Sequence, residues 1–368
     1  MIVGFDATAL LGNGTGVARF ANAVLDELAR RPDVQVNAFA VSWRGRGQLE
    51  DRWSGAVRVV RRPAAAQPLR RLWARGSWPP IECWTGALDV VHGPNFVVPP
   101  ARRAGKVVTV HDLTFLHRPN LCSIDAAGYE RLLRRAIGSG AFVHTIDAFV
   151  DDIVTELGAP RDRVVVVPYG APEVGPAAHG DGRRLAGGDR YVLALGTIEP
   201  RKNLGTVVEA FDLVASIDRS LRLVVAGQNG WGMEPFLRAL SEARHRDRIV
   251  RLGYVSEDQR AALLREATVV TQASIDEGFS FVPIEAMAVR TPVVATAVGG
   301  VPDSVGDAAH LVAPGDATAL AKALLDVISD PCVAEDLANR GAANVARLSW
   351  AATVDGLIDL YERAAAAA

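Results

Sequence analysis

Residues 191–203 read YVLALGTIEPRKN, and this stretch decides the fold. YVLAL is a short apolar run without polar interruption, which is typical of a strand buried on both faces of a parallel sheet. Arg201 and Lys202 follow in the loop where that strand would end. Two adjacent cations repel each other and need either solvent or an anion beside them. The stretch therefore predicts either a solvated loop or a phosphate site at the carboxyl end of a parallel strand.

Short apolar runs alternate with amphipathic stretches along the whole chain, which predicts βα units built around parallel sheets. In the first half, we predict strands at 2–5, 34–41, 57–60, 89–93, 106–110, 141–145 and 164–168, with helices that include 17–30 and 125–137. In the second half, we predict strands at 191–195, 221–227, 249–253, 267–273, 292–297 and 310–313. Its helices are predicted near 203–217, 234–245, 257–266, 283–289, 316–329, 332–347 and 350–367.

The stretch 169–190 divides the two halves, since it is rich in Gly, Pro and Ala and lacks apolar periodicity. We therefore predict an α/β protein of two doubly wound, Rossmann-like domains that face each other across a cleft. The predicted parts are a first domain, a linker, a second domain and a C-terminal helix that crosses back to the first domain, at 1–170, 171–190, 191–349 and 350–368. Ligands of such sheets bind at the carboxyl ends of the strands.

Composition narrows the function classes. The chain has 368 residues, of which 49% are hydrophobic and 22% charged, so it can build sizeable cores. A net charge of -2 gives no general attraction to nucleic acid. Three well-separated cysteines do not suggest a disulfide framework, and neither a signal peptide nor an apolar run of membrane-spanning length is evident. We expect a soluble cytoplasmic protein without a nucleic-acid partner.

The segment 276–287, DEGFSFVPIEAM, carries two carboxylates eight positions apart, Glu277 and Glu285. Pro283 suits the first turn of a helix, which would place Glu285 in that turn and Glu277 in the preceding loop. The backbone N–H groups between them would attract an anion. Carboxylates accept hydrogen bonds from sugar hydroxyls, so the pattern fits a ligand with both phosphates and hydroxyls. The same two carboxylates would be explained equally well if Glu285 only capped its helix and Glu277 were a surface loop residue.

Taken in order, these motifs resemble the C-terminal domain of the family 4 retaining glycosyltransferases of the GT-B fold. The matching segments are GTIEPRKN (196–203), GYVSEDQR (253–260), EGFSFVPIEAMA (277–288) and PVVATAVGGVPD (292–303). PYGAP (168–172) matches the usual end of the first domain in that family. The resemblance covers nearly the whole chain, and the glutamates with seven residues between them are the hallmark of the family.

The resemblance implies a site for the nucleotide-sugar donor. Lys202 matches the diphosphate-binding lysine of the family, and Arg201 is expected to supply the second positive charge, because Thr197 stands where many members carry Arg. Glu277 is expected to meet the donor sugar and Glu285 to hold the ribose hydroxyls. The other predicted donor-binding residues are Gly14, Gly16, Gly196, Thr197, Gln228, Tyr254, Val255, Gly278, Phe279 and Ser280.

In the first half, VTVHDL (108–113) places His111 and Asp112 directly after a predicted strand. The resemblance implies that His111 lines the cleft near the transferred sugar and that Asp112 is its neighbour or an acceptor contact. We therefore predict His111, Asp112, Arg201, Lys202 and Glu277 as catalytic residues and Thr15, His92 and Asn95 on the acceptor side. On sequence alone, a histidine there could equally be a hydrogen-bonded core residue. Likewise, the Gly-rich stretch GNGTGVARF (12–20), which contains Gly14, Thr15 and Gly16, could be an ordinary tight turn.

The sequence lacks a D-x-D metal motif, H-E-x-x-H and G-x-S-x-G. The resemblance therefore implies metal-free transfer of a hexose, with retention, from a nucleoside-diphosphate sugar to a hydroxyl of a glycan, a lipid-linked sugar or a small molecule. GDP-mannose is the first expectation, because the EPRKN and HDL segments resemble mannosyltransferase-type members. UDP-glucose and deoxysugar donors stay open. The alternatives are a GT-B-fold sugar-nucleotide epimerase and a silent nucleotide-sugar-binding protein.

The segment 58–75 holds six arginines and no acid, with Trp73 inside it and Trp78 close behind. Basic amphipathic segments that carry Trp bind anionic membranes. The segment 58–78 is thus a candidate for peripheral contact at the inner face of the cell membrane, and a solvated basic loop is the alternative.

Overall fold

The computed structural model describes residues 1–12, 16–43, 49, 55–60, 62, 65–123, 126 and 128–368. Gly14 and Thr15 of the predicted site, and Arg61 of the basic segment, lie outside the described residues. The chain divides into two compact units. Unit 1 comprises Met1–Gly170 and Ser349–Ala368, and unit 2 comprises Ala171–Leu348.

Unit 1 is built on a seven-stranded parallel sheet. Its strands are β1 (Ile2–Asp6), β2 (Gln35–Phe39), β3 (Val57–Val60), β4 (Val90–Gly93), β5 (Gly105–Thr109), β6 (Phe142–Thr145) and β7 (Val164–Val166). They lie in the order β3-β2-β1-β4-β5-β6-β7, so the winding direction reverses between β1 and β4. In register, Val3 of β1 lies opposite Val36 of β2 and Val90 of β4, all fully buried. These valines show why such strands read as apolar runs.

The helices of unit 1 include one from the far end of the chain. They are α1 (Gly16–Leu28), α2 (Ala66–Trp73), α3 (Glu82–Thr85), α4 (Thr114–His117), α5 (Tyr129–Gly138), α6 (Val150–Thr155) and, after unit 2, α15 (Trp350–Ala366). Ser349 caps α15, with its hydroxyl accepting from the Ala352 N–H at 3.4 Å. At its other end α15 approaches β5 so closely that a Cβ on Gly105 would lie 2.2 Å from the Ala364 carbonyl oxygen.

Unit 2 is built on a six-stranded parallel sheet in the order β10-β9-β8-β11-β12-β13. Its strands are β8 (Tyr191–Leu195), β9 (Arg222–Ala226), β10 (Ile249–Gly253), β11 (Val269–Gln272), β12 (Val293–Thr296) and β13 (His310–Val312). The winding direction reverses between β8 and β11, the point at which doubly wound sheets bind ligands. Both sheets confirm the predicted α/β class of two Rossmann-like domains.

The helices of unit 2 are α7 (Asp181–Ala186), α8 (Leu204–Ala215), α9 (Glu234–Glu242), α10 (Glu257–Glu266), α11 (Phe281–Ala288), α12 (Val301–Val305), α13 (Ala317–Ser329) and α14 (Pro331–Val345). One part of its core lies where α8 and α13 cover the sheet, with Phe211 and Leu324 fully buried there. The stretch 171–190, expected to be a linker, contains α7. The Glu266 carboxylate of α10 accepts hydrogen bonds from the backbone of Gly180 and Arg183 at 2.5 and 2.9 Å, which ties α7 to unit 2.

No helix in the described part of the chain combines the length and the apolar composition that crossing a bilayer requires.

The contact between Gly105 and α15 generates a stability prediction. Gly105→Ala should lower the free energy of unfolding by about 1–3 kcal/mol, because the new methyl group must displace the backbone of α15. Gly138→Ala is the matched control, since a Cβ there would meet no atom within 4 Å. Urea unfolding measures both variants. Equal stability of the two would contradict the close approach.

Candidate functional site

Three neighbouring strands of unit 2 send their loops out from one edge of the sheet. Gly196, Gly227 and Gly253 stand at or directly after the ends of β8, β9 and β10. The Gly227 N–H donates to the Gly253 carbonyl at 2.7 Å, and a Cβ on Gly227 would lie 1.8 Å from the Gly196 carbonyl oxygen. Gly227 also has φ 152°, which favours glycine. The loops that carry Thr197, Gln228 and Tyr254 therefore begin side by side.

A buried carboxylate bridges the two cations that follow β8. Arg201 donates from Nη1 to Oε1 of Glu277 at 2.6 Å, and Lys202 donates from Nζ to Oε2 at 2.5 Å. Ser274 donates to the same Oε2 at 3.0 Å. Glu277 is only 6% exposed. We call Arg201, Lys202 and Glu277 the bridged cluster; it joins the loop after β8 to the loop after β11, across the point where the winding direction reverses.

Backbone contacts hold the bridged cluster in place. The Arg201 carbonyl accepts from the Ile275 N–H at 2.8 Å, so the two loops are joined beneath the side chains. Glu199, which the sequence analysis did not single out, lies 3.0 Å from an Arg201 nitrogen. The formal charges of Glu199, Arg201, Lys202 and Glu277 sum to zero. An anionic ligand would therefore compete with the two glutamates for cations that are already positioned.

The bridged cluster keeps Glu277 ionised. Burial raises the pKa of this carboxyl, but the charges of Arg201 and Lys202 outweigh burial and hold the pKa at about 2. The stabilisation from these contacts is present above the ordinary glutamate pKa and is lost as the pH falls toward 2. At neutral pH Glu277 is a carboxylate that accepts hydrogen bonds and has little tendency to take up a proton.

The start of α11 lies beside the bridged cluster. Ser280 precedes the helix in a left-handed conformation, with φ 64°, and its hydroxyl accepts from the Gln272 amide at 2.5 Å. Phe279 and Ser280 are buried with Gly278 in this turn. The helix begins at Phe281, two residues before Pro283, so Glu285 lies in the second turn and not in the first.

Glu285 has a partner that the sequence analysis missed. Its carboxylate is 1% exposed and forms an ion pair with Arg260 of α10. The two residues are 25 positions apart on different helices, so neither motif nor periodicity identifies the pair. Tyr254 and Val255 lie between the end of β10 and the start of α10, with Tyr254 68% exposed.

Every predicted donor-binding residue of unit 2 lies at this one sheet edge or on α11. These residues are Gly196, Thr197, Arg201, Lys202, Gln228, Tyr254, Val255, Glu277, Gly278, Phe279, Ser280 and Glu285. Of the predicted residues in unit 1, Gly16 begins α1 and is exposed, while Asn95 and Asp112 are half-buried. Asp112 accepts from the Thr114 N–H at 3.0 Å.

His92, predicted on the acceptor side, lies in the core of unit 1 with no exposed surface. His92 belongs to a series of hydrogen bonds that begins at the Val167 carbonyl. The donor and acceptor nitrogens of each histidine in the series can be assigned from that end. The Val167 carbonyl can only accept, so His144 donates to it from Nε2 at 3.1 Å and accepts at Nδ1 from the Thr109 hydroxyl at 2.9 Å. Thr109 then accepts from Nε2 of His92 at 2.7 Å, and His92 accepts from the Tyr361 hydroxyl at 2.7 Å. Tyr361 lies on α15, so this chain anchors that helix.

His111 is held in the same way. Its Nε2 donates to the Pro94 carbonyl at 2.7 Å, and its Nδ1 accepts from the Tyr169 hydroxyl at 2.9 Å. Burial lowers the pKa of His111, although the Pro94 carbonyl and Asp112 act in the opposite direction. His111 is therefore a neutral imidazole whose two nitrogens are both engaged.

Among the described residues, one group of three side chains has the spacing of metal ligands: His117, Asp152 and Glu156. It lies on the surface of unit 1, whereas the bridged cluster belongs to unit 2.

The two doubly wound sheets and the cation-bridged carboxylate at a reversal point define a class, the two-domain transferases of the GT-B fold. Sucrose-phosphate synthase from Thermosynechococcus elongatus has the same fold, with a TM-score of 0.77 at 19% identity over 100% of this chain and 99% of that one. HepE of Anabaena, crystallised with UDP and glucose, matches with a TM-score of 0.72 at 17% identity over 98% and 99%.

Family models agree with the fold: "Glycosyl transferases group 1" matches residues 181–363, and "Glycosyl transferase 4-like domain" matches residues 15–170. O-antigen chain mannosyltransferase B of Escherichia coli is 28% identical over 285 residues, 74% of each chain. D-inositol 3-phosphate glycosyltransferase of Actinosynnema mirum is 31% identical over 307 residues, 76% of this chain and 73% of the relative. The chain belongs to the group 1 glycosyltransferases (family 4), and it is an enzyme of the transferase class.

The buried histidines predict that acid destabilises unit 1. Burial lowers the pKa of His92 and His111, and lowers that of His144 to about 3. Below the ordinary histidine pKa, near 6.5, the unfolded chain binds protons that the folded unit does not. Stability should therefore fall as the pH drops from 6.5 toward 5, with a contribution from His144 that approaches roughly 1.4 kcal/mol per pH unit.

Urea unfolding at pH 7 and pH 5 measures this loss. His144→Gln should make the pH dependence shallower. A free energy of unfolding that does not change over this range would contradict the neutral hydrogen-bonded chain.

Proposed function

We propose that unit 2 binds a nucleoside-diphosphate hexose and that the enzyme transfers the hexose, with retention, to an acceptor hydroxyl. The observation that carries the proposal is the bridged cluster, which places two fixed cations at the reversal point of a doubly wound sheet. Family membership supports transfer over epimerisation. Assays with donor alone and with donor plus acceptor separate an active enzyme from a protein that only binds the nucleotide sugar.

In this proposal the diphosphate takes over hydrogen bonds that Glu277 now accepts. Arg201 can bind two phosphate oxygens with its planar fork, and Lys202 supplies a point charge. Because both cations are positioned before the reaction, they stabilise the charge that develops on the leaving phosphate at little reorganisation cost. Arg201 and Lys202 thus perform the task that a metal performs in other transferases, and activity should persist in excess EDTA.

Retention is proposed from the resemblance to the retaining family, and the state of Glu277 bears on how retention would be achieved. A carboxylate shared by two cations and Ser274, with a pKa of about 2, is a poor nucleophile and a poor base. We therefore propose a front-face displacement. The bond from C1 to the leaving phosphate oxygen breaks, the bond from C1 to the acceptor oxygen forms on the same face, and the acceptor proton passes to the leaving phosphate. NMR of the product should show the anomeric configuration of the donor.

GDP-mannose is the first proposed donor, supported by the similarity to the Escherichia coli mannosyltransferase. A UDP-sugar is the second, because HepE, which shares the fold, binds UDP and glucose. The relatives named D-inositol 3-phosphate glycosyltransferase make inositol phosphate an acceptor to include beside glycan and lipid-linked acceptors.

The proposal of peripheral membrane contact is limited here to part of the segment 58–78. Trp73 is 1% exposed and its indole N–H donates to the Pro79 carbonyl at 3.0 Å, so its ring is not part of the surface that could meet a membrane. The exposed residues of the segment include Arg71, Leu72, Arg75 and Trp78, with Trp78 71% exposed. We propose that these four residues contact anionic lipid, which would suit a lipid-linked acceptor.

Sedimentation with vesicles tests this contact. Trp78→Ala and Arg71→Ala should each reduce the bound fraction on phosphatidylglycerol vesicles several-fold, and neutral vesicles should bind little. Trp43→Ala removes another exposed tryptophan and serves as the control. Equal binding by the Trp78 and Trp43 variants would contradict the proposal.

Lys202→Ala tests the donor site. A nucleotide at 100 times its dissociation constant should stabilise the wild type by about 2.7 kcal/mol in a thermal-shift assay with GDP, UDP and dTDP. The variant should bind the preferred nucleotide about 10- to 100-fold more weakly, since it loses a charge-assisted hydrogen bond.

Lys322→Ala is the matched control, because Lys322 is exposed and pairs with Asp326 on the same helix. Unchanged nucleotide affinity in the Lys202 variant would contradict the proposed phosphate site.

A further inference from the structure

The ion pair between Arg260 and Glu285 lies deeper than the bridged cluster, and the sequence analysis assigned a role to Glu285 but none to Arg260. The Arg260 side chain is 15% exposed and the Glu285 side chain 1% exposed. A carboxylate so buried needs a partner to remain charged. Arg260 provides it from a different helix, so the position of the Glu285 carboxylate depends on α10 as well as on α11.

The first turn of α10 is fixed by its own cap. The Ser256 hydroxyl accepts from the Gln259 N–H at 3.2 Å, and the Gln259 side chain accepts from the Ser256 N–H at 3.0 Å. This reciprocal cap follows Tyr254 and the end of β10 directly. Arg260 is the next residue of the helix, so its Cα is anchored to the same strand end that presents Tyr254.

One donor of the Arg260 guanidinium is left unpaired. Its Nε is buried and has no hydrogen-bond partner among the residues that the structure describes. A buried donor without a partner is costly. The side chain therefore occupies a position that serves Glu285 at the expense of one of its own donors, and a planar, always charged group fixes a carboxylate more strictly than a lysine would.

We infer that Arg260 is a positioning residue for ribose recognition: it fixes the Glu285 carboxylate so that it accepts hydrogen bonds from the ribose hydroxyls of the donor nucleotide. This inference rests on the proposed function. It assigns selectivity for ribose over deoxyribose to a residue that acts through Glu285. In this way α10 would fix the position of the Glu285 carboxylate, which binds the ribose, relative to Tyr254 at the end of β10.

The test compares dissociation constants of GDP with 2′-deoxy-GDP, and of UDP with 2′-deoxy-UDP, by calorimetry on the full chain. In the wild type the ribonucleotide should bind about 10-fold more tightly or better, as expected for one charge-assisted hydrogen bond. In Arg260→Leu that ratio should fall below about 3-fold, while the deoxynucleotide keeps an affinity within a few-fold of the wild type. A purely structural role would weaken both nucleotides equally and leave the ratio unchanged, which would overturn the inference.

Two further variants keep the test decisive. Arg265→Leu removes an arginine from the same helix that donates to the Val174 and Gly175 carbonyls, and its ratio should match the wild type. Arg260→Lys retains the charge, and its ratio should lie between those of the wild type and Arg260→Leu. If Arg260→Leu does not fold, an unchanged ratio in Arg260→Lys overturns the inference. Failure of the wild type to bind any of the four nucleotides would instead refute the proposed function.

Discussion

The structure of unit 2 depends on one buried carboxylate that must stay charged. Glu277 can be both buried and ionised only because Arg201 and Lys202 reach it from the loop after β8. Removing one partner of a buried pair usually costs about 3–5 kcal/mol, because the remaining charge is left uncompensated. The loops after β8 and β11 must therefore converge, and the hydrogen bond from Ile275 to the Arg201 carbonyl joins them. The requirement to neutralise a charge thus builds a cation site at the sheet edge where a doubly wound fold binds its ligand.

The two sheets have the same strand order, which unit 1 extends by β7. They differ in what surrounds their buried polar residues. In unit 2, the charged groups at the strand ends surround the buried Glu277 carboxylate, whose hydrogen bonds the proposed diphosphate would take over. In unit 1, the buried histidines of β4 and β6 are closed into a directed hydrogen-bonded chain that ends on Tyr361 of α15. A histidine in such a chain cannot accept a proton without losing a partner. The position of a histidine in or after a strand is therefore weak evidence for a catalytic role. The hydrogen-bond partners of the imidazole are the stronger evidence.

Much of the fold could be predicted because its signals are local. Thirteen strands were predicted from short apolar runs and the described residues contain thirteen, with boundaries shifted by a residue or two. The residues of the bridged cluster were predicted from motifs, but their mutual contacts were not. What escaped prediction depends on distant residues: Arg260 meets Glu285 across 25 positions, and Tyr361 meets His92 across 269. Trp73 faces the core because α2 turns it there, and neither its residue type nor the surrounding arginines shows that orientation.

A crystal structure with the nucleoside diphosphate that stabilises the protein most would test the central claim directly, namely that the bridged cluster is a phosphate site. The account predicts phosphate oxygens within about 2.7–3.2 Å of Lys202 Nζ and of the Arg201 guanidinium, with the contacts of Glu277 to those cations lengthened or lost. A diphosphate bound elsewhere, with Glu277 still bridging both cations, would contradict it.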